Sequence, residues 1–208
     1  MGKVLFMRKG ETHTAPAKGL PSGYTKLEYI QSTGTQYVDT GFKHNQNTRV
    51  VMHVKPVSIT ANAWAFEGRT SSDCRKGVFF YYSSGSLWNA DYYDSNYRKS
   101  FSGISSTADL NIDYDKNTCT VNGVSVNFTA KTFQSTFNLT LLACNTGGSV
   151  AGYLSAKLYS CQIYDNDVLV RDFVPCINAS GEVGLFDMVN RQFYGNAGTG
   201  TFTGSEVA

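Results

Sequence analysis

The dipeptide Asn122-Gly123 stands between two short runs that alternate polar and apolar residues, 118–121 and 124–128. A two-residue type I′ turn needs positive φ at both central positions, which Asn and Gly tolerate best, so this pattern specifies a β-hairpin. The same grammar recurs along the chain. Residues 48–54 alternate around Val50, Met52 and Val54, as a strand with one buried face does, and residues 108–113 alternate again. Residues 77–82 form a continuous apolar run of the kind found in central strands. Asp165-Asn166-Asp167 supplies a tight turn between residues 154–164 and 168–174. About a dozen strands follow one another every 8 to 12 residues or so, the signature of a sandwich or barrel. No window keeps a 3.6-residue apolar period, so no helix is expected.

Residues 24–208 therefore read as one all-β domain, and 208 residues are ample for a core without staples. Residues 1–23 read differently. Val4, Leu5, Phe6 and Met7 make a short apolar segment, Arg8 and Lys9 follow it, and two prolines and two glycines fall within residues 14–23. This is an extended linker carrying an anchoring arm at Val4 to Lys9. The apolar segment is too short for a signal-peptide core, and no run of about 18 apolar residues predicts a membrane span. A net charge of +2 gives no reason to expect nucleic acid or a membrane surface as partner. The five cysteines form no Cys-x-x-Cys pair and read as small buried hydrophobes.

Several stretches carry a family likeness. Residues 24–42 (YTKLEYIQSTGTQYVDTGF) resemble the first hairpin of laminin-G-like domains encoded in phages and prophages of gut bacteria. Residues 115–123 and 157–166 resemble the mid-domain hairpin and the following strand of concanavalin A-like folds, and residues 170–176, 184–187 and 193–200 are similar to the same group's ending. The resemblance implies a two-sheet antiparallel jelly roll on the surface of a virion assembled in the host cytoplasm. The arm would dock on other capsid or tail proteins, homo-oligomers would be usual, and bacterial or mucosal glycans are possible ligands.

Enzymes of that group use paired carboxyl groups at a set separation. The glutamates here, Glu11, Glu28, Glu67, Glu182 and Glu206, are isolated in sequence, and Asp113 and Asp115 flank Tyr114 just before a turn. Of the three histidines, His13 lies in the linker, His44 in a polar loop, and His53 alternates with Met52 and Val54 toward solvent. A non-enzymatic protein is expected. The laminin-G-like resemblance also implies a possible calcium site at a sandwich rim, for which Asp91, Asp94, Asp165, Asn166 and Asp167 are the candidate ligands. Asp and Asn at turns mainly serve the turn, so no cofactor is expected; Asp165 and Asp167 are the positions to inspect. The richest surface vocabulary is Trp88, Asp91, Tyr92, Tyr93, Asn96, Tyr97 and Arg98, aromatic and polar groups that suit a glycan or a protein partner. The alternative is that Trp88 packs in the core and the tyrosines cover a sheet.

Overall fold

The computed structural model describes residues 19–82, 85 and 87–206. The predicted anchor, Val4 to Lys9, lies outside the described residues. Seventeen strands follow in chain order: β1 (Thr25–Gln31), β2 (Val38–Asp39), β3 (Thr48–Ser58), β4 (Ala63–Arg69), β5 (Arg75–Tyr81), β6 (Leu87–Phe101), β7 (Leu110–Asp115), β8 (Thr118–Val121) and β9 (Val124–Asn127). Then come β10 (Thr140–Leu141), β11 (Cys144–Thr146), β12 (Ser149–Ala151), β13 (Ser155–Asp165), β14 (Val168–Ile177), β15 (Val183–Asp187), β16 (Gln192–Tyr194) and β17 (Thr203–Glu206). Among the described residues there is no helix.

The strands form two sheets. The larger runs β16-β15-β14-β1-β13-β3-β7-β8-β9, with β17 added to β1. The smaller runs β12-β11-β4-β10-β2, with β5 on β4 and β6 on β5. Period-2 alternation explains why they pack face to face. Val50, Met52 and Val54 of β3, Leu110, Ile112 and Tyr114 of β7, and Leu158, Cys161 and Ile163 of β13 bury one side of the larger sheet. Phe66, Val78, Phe80, Trp88, Ala90 and Tyr92 bury the facing side of the smaller, and both sets join one core. Each large side chain so buried contributes about 1.5–3 kcal/mol.

The Asn122-Gly123 turn forms as predicted, with φ of 49° and 81° and Val121 opposite Val124. The Asn166-Asp167 turn likewise has φ of 50° and 66°. The first and last strands lie side by side, Tyr29 opposite Ser205 and Gln31 opposite Thr203.

One expectation is corrected. The segment likened to a first hairpin is not one: β1 belongs to the larger sheet and β2 to the smaller. The buried side chain of Gln36 accepts from Thr33 N–H at 2.8 Å and from Ser32 Oγ at 3.1 Å, and this knot carries the chain across between layers. The two sheets are antiparallel as expected, with one parallel pairing. The chain turns back at Leu142, φ 65°, so β10 and β11 both dock on β4, the second in parallel register with Cys144 opposite Glu67.

A lysine side chain is buried between the sheets. Lys76 points inward from β5, donates to Lys116 O at 2.6 Å and lies 3.8 Å from the Tyr114 ring centre. Burial pulls its pKa down to about 7.

Candidate functional site

The stretch read as a surface segment is part of one long strand, β6, and alternation deals its residues to three places. Trp88 and Tyr92 point into the core. Trp88 Nε1 donates to Ser105 O at 3.0 Å, and Tyr92 stacks on Phe128 at 5.4 Å. Neither offers a face to a ligand. Tyr93, with φ 64°, and Tyr97 meet edge to face at 5.9 Å with Lys131 Nζ 4.8 Å from the Tyr97 ring centre, and Asn96 is exposed beside them. Asp91 and Arg98 belong to neither group; they join a charged cluster on the outward side of the smaller sheet.

That cluster is built around a missing side chain. Gly77 of β5 lies opposite Glu67 of β4 on one side and Asp91 of β6 on the other. A Cβ there would fall 2.6 Å from both Phe66 O and Glu67 Cβ, so only glycine lets the Glu67 side chain lie across the strand. Asp91 is fully buried and accepts a bidentate pair from Arg98, Nε at 2.7 Å and Nη2 at 2.9 Å, plus Arg75 Nη1 at 3.1 Å. Glu67, also fully buried, takes Arg69 Nη1 at 3.3 Å and the Cys144 thiol at 3.2 Å, both on Oε2. Burial, reinforced by the nearby Asp91 charge, pushes the Glu67 pKa up to about 7. The pairing of Glu67 with Asp91 escapes sequence reading because 23 intervening residues separate them in the chain and only cross-strand register joins them.

The remaining polar groups are structural. Asp165 accepts from Asn45 Nδ2 at 2.8 Å and Asn166 Nδ2 at 3.0 Å, while Asp167 pairs with Lys116. Among the described residues no group of three or more His, Cys, Asp or Glu side chains has metal-binding geometry. Asp113 is held by Arg49. His44, read as a loop residue, is fully buried; Nε2 bonds to Cys74 O at 2.7 Å, and burial lowers its pKa to about 4. The cysteines are free; Cys119, Cys144, Cys161 and Cys176 are buried, and Cys74 is half-buried with burial raising its pKa to about 11.

The outward side of the larger sheet offers an open groove of about 490 Å³. It lies where three pairings part: β1 pairs β14 through Thr25 and Lys26, β1 pairs β13 through Ile30 and Gln31, and β13 meets β14 only from Cys161 and Phe173 onward. Val51, Phe173 and Pro175 give it an apolar floor, and Glu28, Gln162 and Asp172 bring polar groups. Beside it runs a half-buried ring strip from three strands. His53 stacks on Tyr159 at 4.3 Å and 16°, Tyr29 meets Tyr159 at 5.5 Å, Lys157 lies 4.1 Å from the Tyr29 ring, and Asp109 fixes His53 at 2.7 Å. His53 thus turns outward as alternation predicts, but the strip itself is assembled from positions 29, 53 and 159 and has no local sequence signal.

Comparison with protein-family models, with curated proteins and with solved structures finds no significant match.

Proposed function

We propose that the chain is a non-enzymatic surface protein of a bacteriophage particle, held by its N-terminal arm and displaying the β-sandwich outward. The sequence likeness in residues 24–42, 170–176, 184–187 and 193–200 supports the setting. The observation that carries the non-enzymatic part is the state of the Glu67–Asp91 pair. Its members face one another across Gly77, yet neither reaches solvent, and Asp91 is saturated by two guanidinium groups. Acid–base or nucleophilic hydrolysis needs both carboxyl groups of a pair free to act, and Asp91, held on both oxygens by Arg98 and Arg75, is not.

The arm's root supports display. Gly19 O accepts from Arg191 Nη1 at 3.0 Å, and Tyr24 packs on Phe186 and Phe193, which fastens the start of the domain to one edge of the larger sheet. Particles carrying a chain without residues 1–18 are expected to lose it on gradient purification; full retention overturns the anchoring role.

The ring strip and groove favour a second reading, a lectin-like adhesin, because sugars stack C–H faces on rings and pair hydroxyls with fixed polar groups. A glycan array with the full chain and with Tyr159→Ala separates the two readings: saccharide binding lost in the variant supports adhesion, and no binding leaves display alone. Release of reducing ends from any bound polysaccharide, abolished by Glu28→Gln or Asp172→Asn, overturns the non-enzymatic conclusion.

A further inference from the structure

Five buried side-chain polar atoms among the described residues have no hydrogen-bond partner, and three of them, Trp64 Nε1, Glu67 Oε1 and Arg75 Nε, lie on the outward face of the smaller sheet. Buried polar atoms are almost always satisfied, so three orphans on one face ask for an absent partner. Two are N–H donors. The third becomes a donor when Glu67 is protonated. All three then lack the same thing, an acceptor.

Charge points the same way. Arg69, Arg75 and Arg98 surround two carboxylates; Asp91 is saturated, and Glu67 is engaged through one oxygen. With Glu67 neutral, three positive charges face one negative. Two guanidinium groups lie over rings, Arg98 4.6 Å from the Phe79 centre and Arg69 5.8 Å from that of Trp64, and the two rings stack on each other at 5.1 Å. Stacking fixes the planar forks while leaving N–H groups at their edges. Of the three arginines Arg98 is the most exposed, its side chain at one-third.

We infer that this face is a binding site for an oxyanion, the carboxylate, sulfate or phosphate group of a ligand, seated among Arg69, Arg75 and Arg98 above the Trp64–Phe79 stack. Guanidinium forks match such groups bidentately, and charge-assisted bonds of this kind are about twice as strong as neutral ones. The inference is independent of the display reading.

Glu67 makes the site acid-dependent. It is faced by Asp91 and Arg98 from β6, Arg75 from β5, Arg69 from its own strand and the Cys144 thiol from β11. Its ionised form repels an anion, so binding takes up a proton. With a pKa of about 7, sulfate affinity should be roughly tenfold higher at pH 6 than at pH 8.

The test is calorimetric titration of the full chain with sodium sulfate, sodium acetate and methyl phosphate at both pH values, with chloride holding ionic strength constant. Sulfate, carboxylate and phosphate ligands are distinguished by which probe binds tightest. Glu67→Gln should bind at both pH values with the acid-form affinity. A second readout needs no variant, because the chain has two tryptophans. The Trp64 indole N–H resonance should move on adding sulfate while that of Trp88, already bonded to Ser105, stays. Absence of saturable binding for all three anions overturns the proposal, as does binding that leaves the Trp64 signal still or ignores both pH and Glu67→Gln.

Discussion

Two Arg–Asp pairs of nearly the same geometry sit on the two outward faces of the sandwich. On the larger sheet, Arg49 meets Asp113 at 2.8 and 2.7 Å; on the smaller, Arg98 meets Asp91 at 2.7 and 2.9 Å. Their surroundings differ. The side chains of the first pair are 38% and 43% exposed, whereas Asp91 is wholly buried and shared with Arg75. Bond lengths do not set the worth of an ion pair; solvent does. Water screens the first pair and would replace either partner, while removal of Asp91 leaves two guanidinium groups with nothing to balance them.

The largest effect should follow from Asp91→Ala. It strands Arg75 and Arg98 and is expected to lower stability by about 3–5 kcal/mol, read from urea unfolding. A loss within ~1 kcal/mol of that for Asp113→Ala would break the comparison.

Lys76→Met should act in the opposite direction. Lys76 has a folded pKa of about 7 against an ordinary value of 10.5, so between those values the unfolded chain binds more protons and wild-type stability rises with pH. The slope is at most about 1.4 kcal/mol per pH unit. Replacing the buried amine by an apolar side chain of similar length should remove that slope and stabilise the fold by about 1–4 kcal/mol at pH 6, the gain shrinking toward pH 10. Parallel pH–stability curves for the two proteins would contradict this.

Gly77→Ala sharpens the account of the cluster. The added methyl collides with Phe66 O and the Glu67 stem, and a loss of about 1–3 kcal/mol by chemical denaturation is expected. An unchanged midpoint would mean that the cluster is loosely packed. The smallest effect belongs to Asp113→Ala, at about 0–1 kcal/mol and shrinking further in 1 M salt.

Much of the fold was legible. Alternation in residues 48–54 and 108–113 marked strands and their buried faces, and Asn122-Gly123 marked a hairpin with its turn type. These are local: two neighbouring residues or a period of two suffices. The parting of β1 and β2 into different sheets was not legible, because Ser32, Thr33 and Gln36 look like ordinary loop residues until their side chains close on one another. The site was less legible still. Trp88, Tyr92, Asp91 and Arg98 are near neighbours in sequence, yet successive residues of a strand face opposite ways, so a cluster of suitable residue types is split between core and surface.

The amino-acid sequence by itself determined an all-β chain, the positions of its tightest turns and the buried face of its regularly alternating strands, since short-range sterics and the alternating pattern decide those. Only the tertiary structure decided which ionisable groups meet. Glu67, Gly77 and Asp91 come into one row through strand register, and Tyr29, His53 and Tyr159 into one strip through the order of β1, β13 and β3. The physical reason is that cross-strand contacts depend on which strands pair and at what offset, a choice made by the whole core at once.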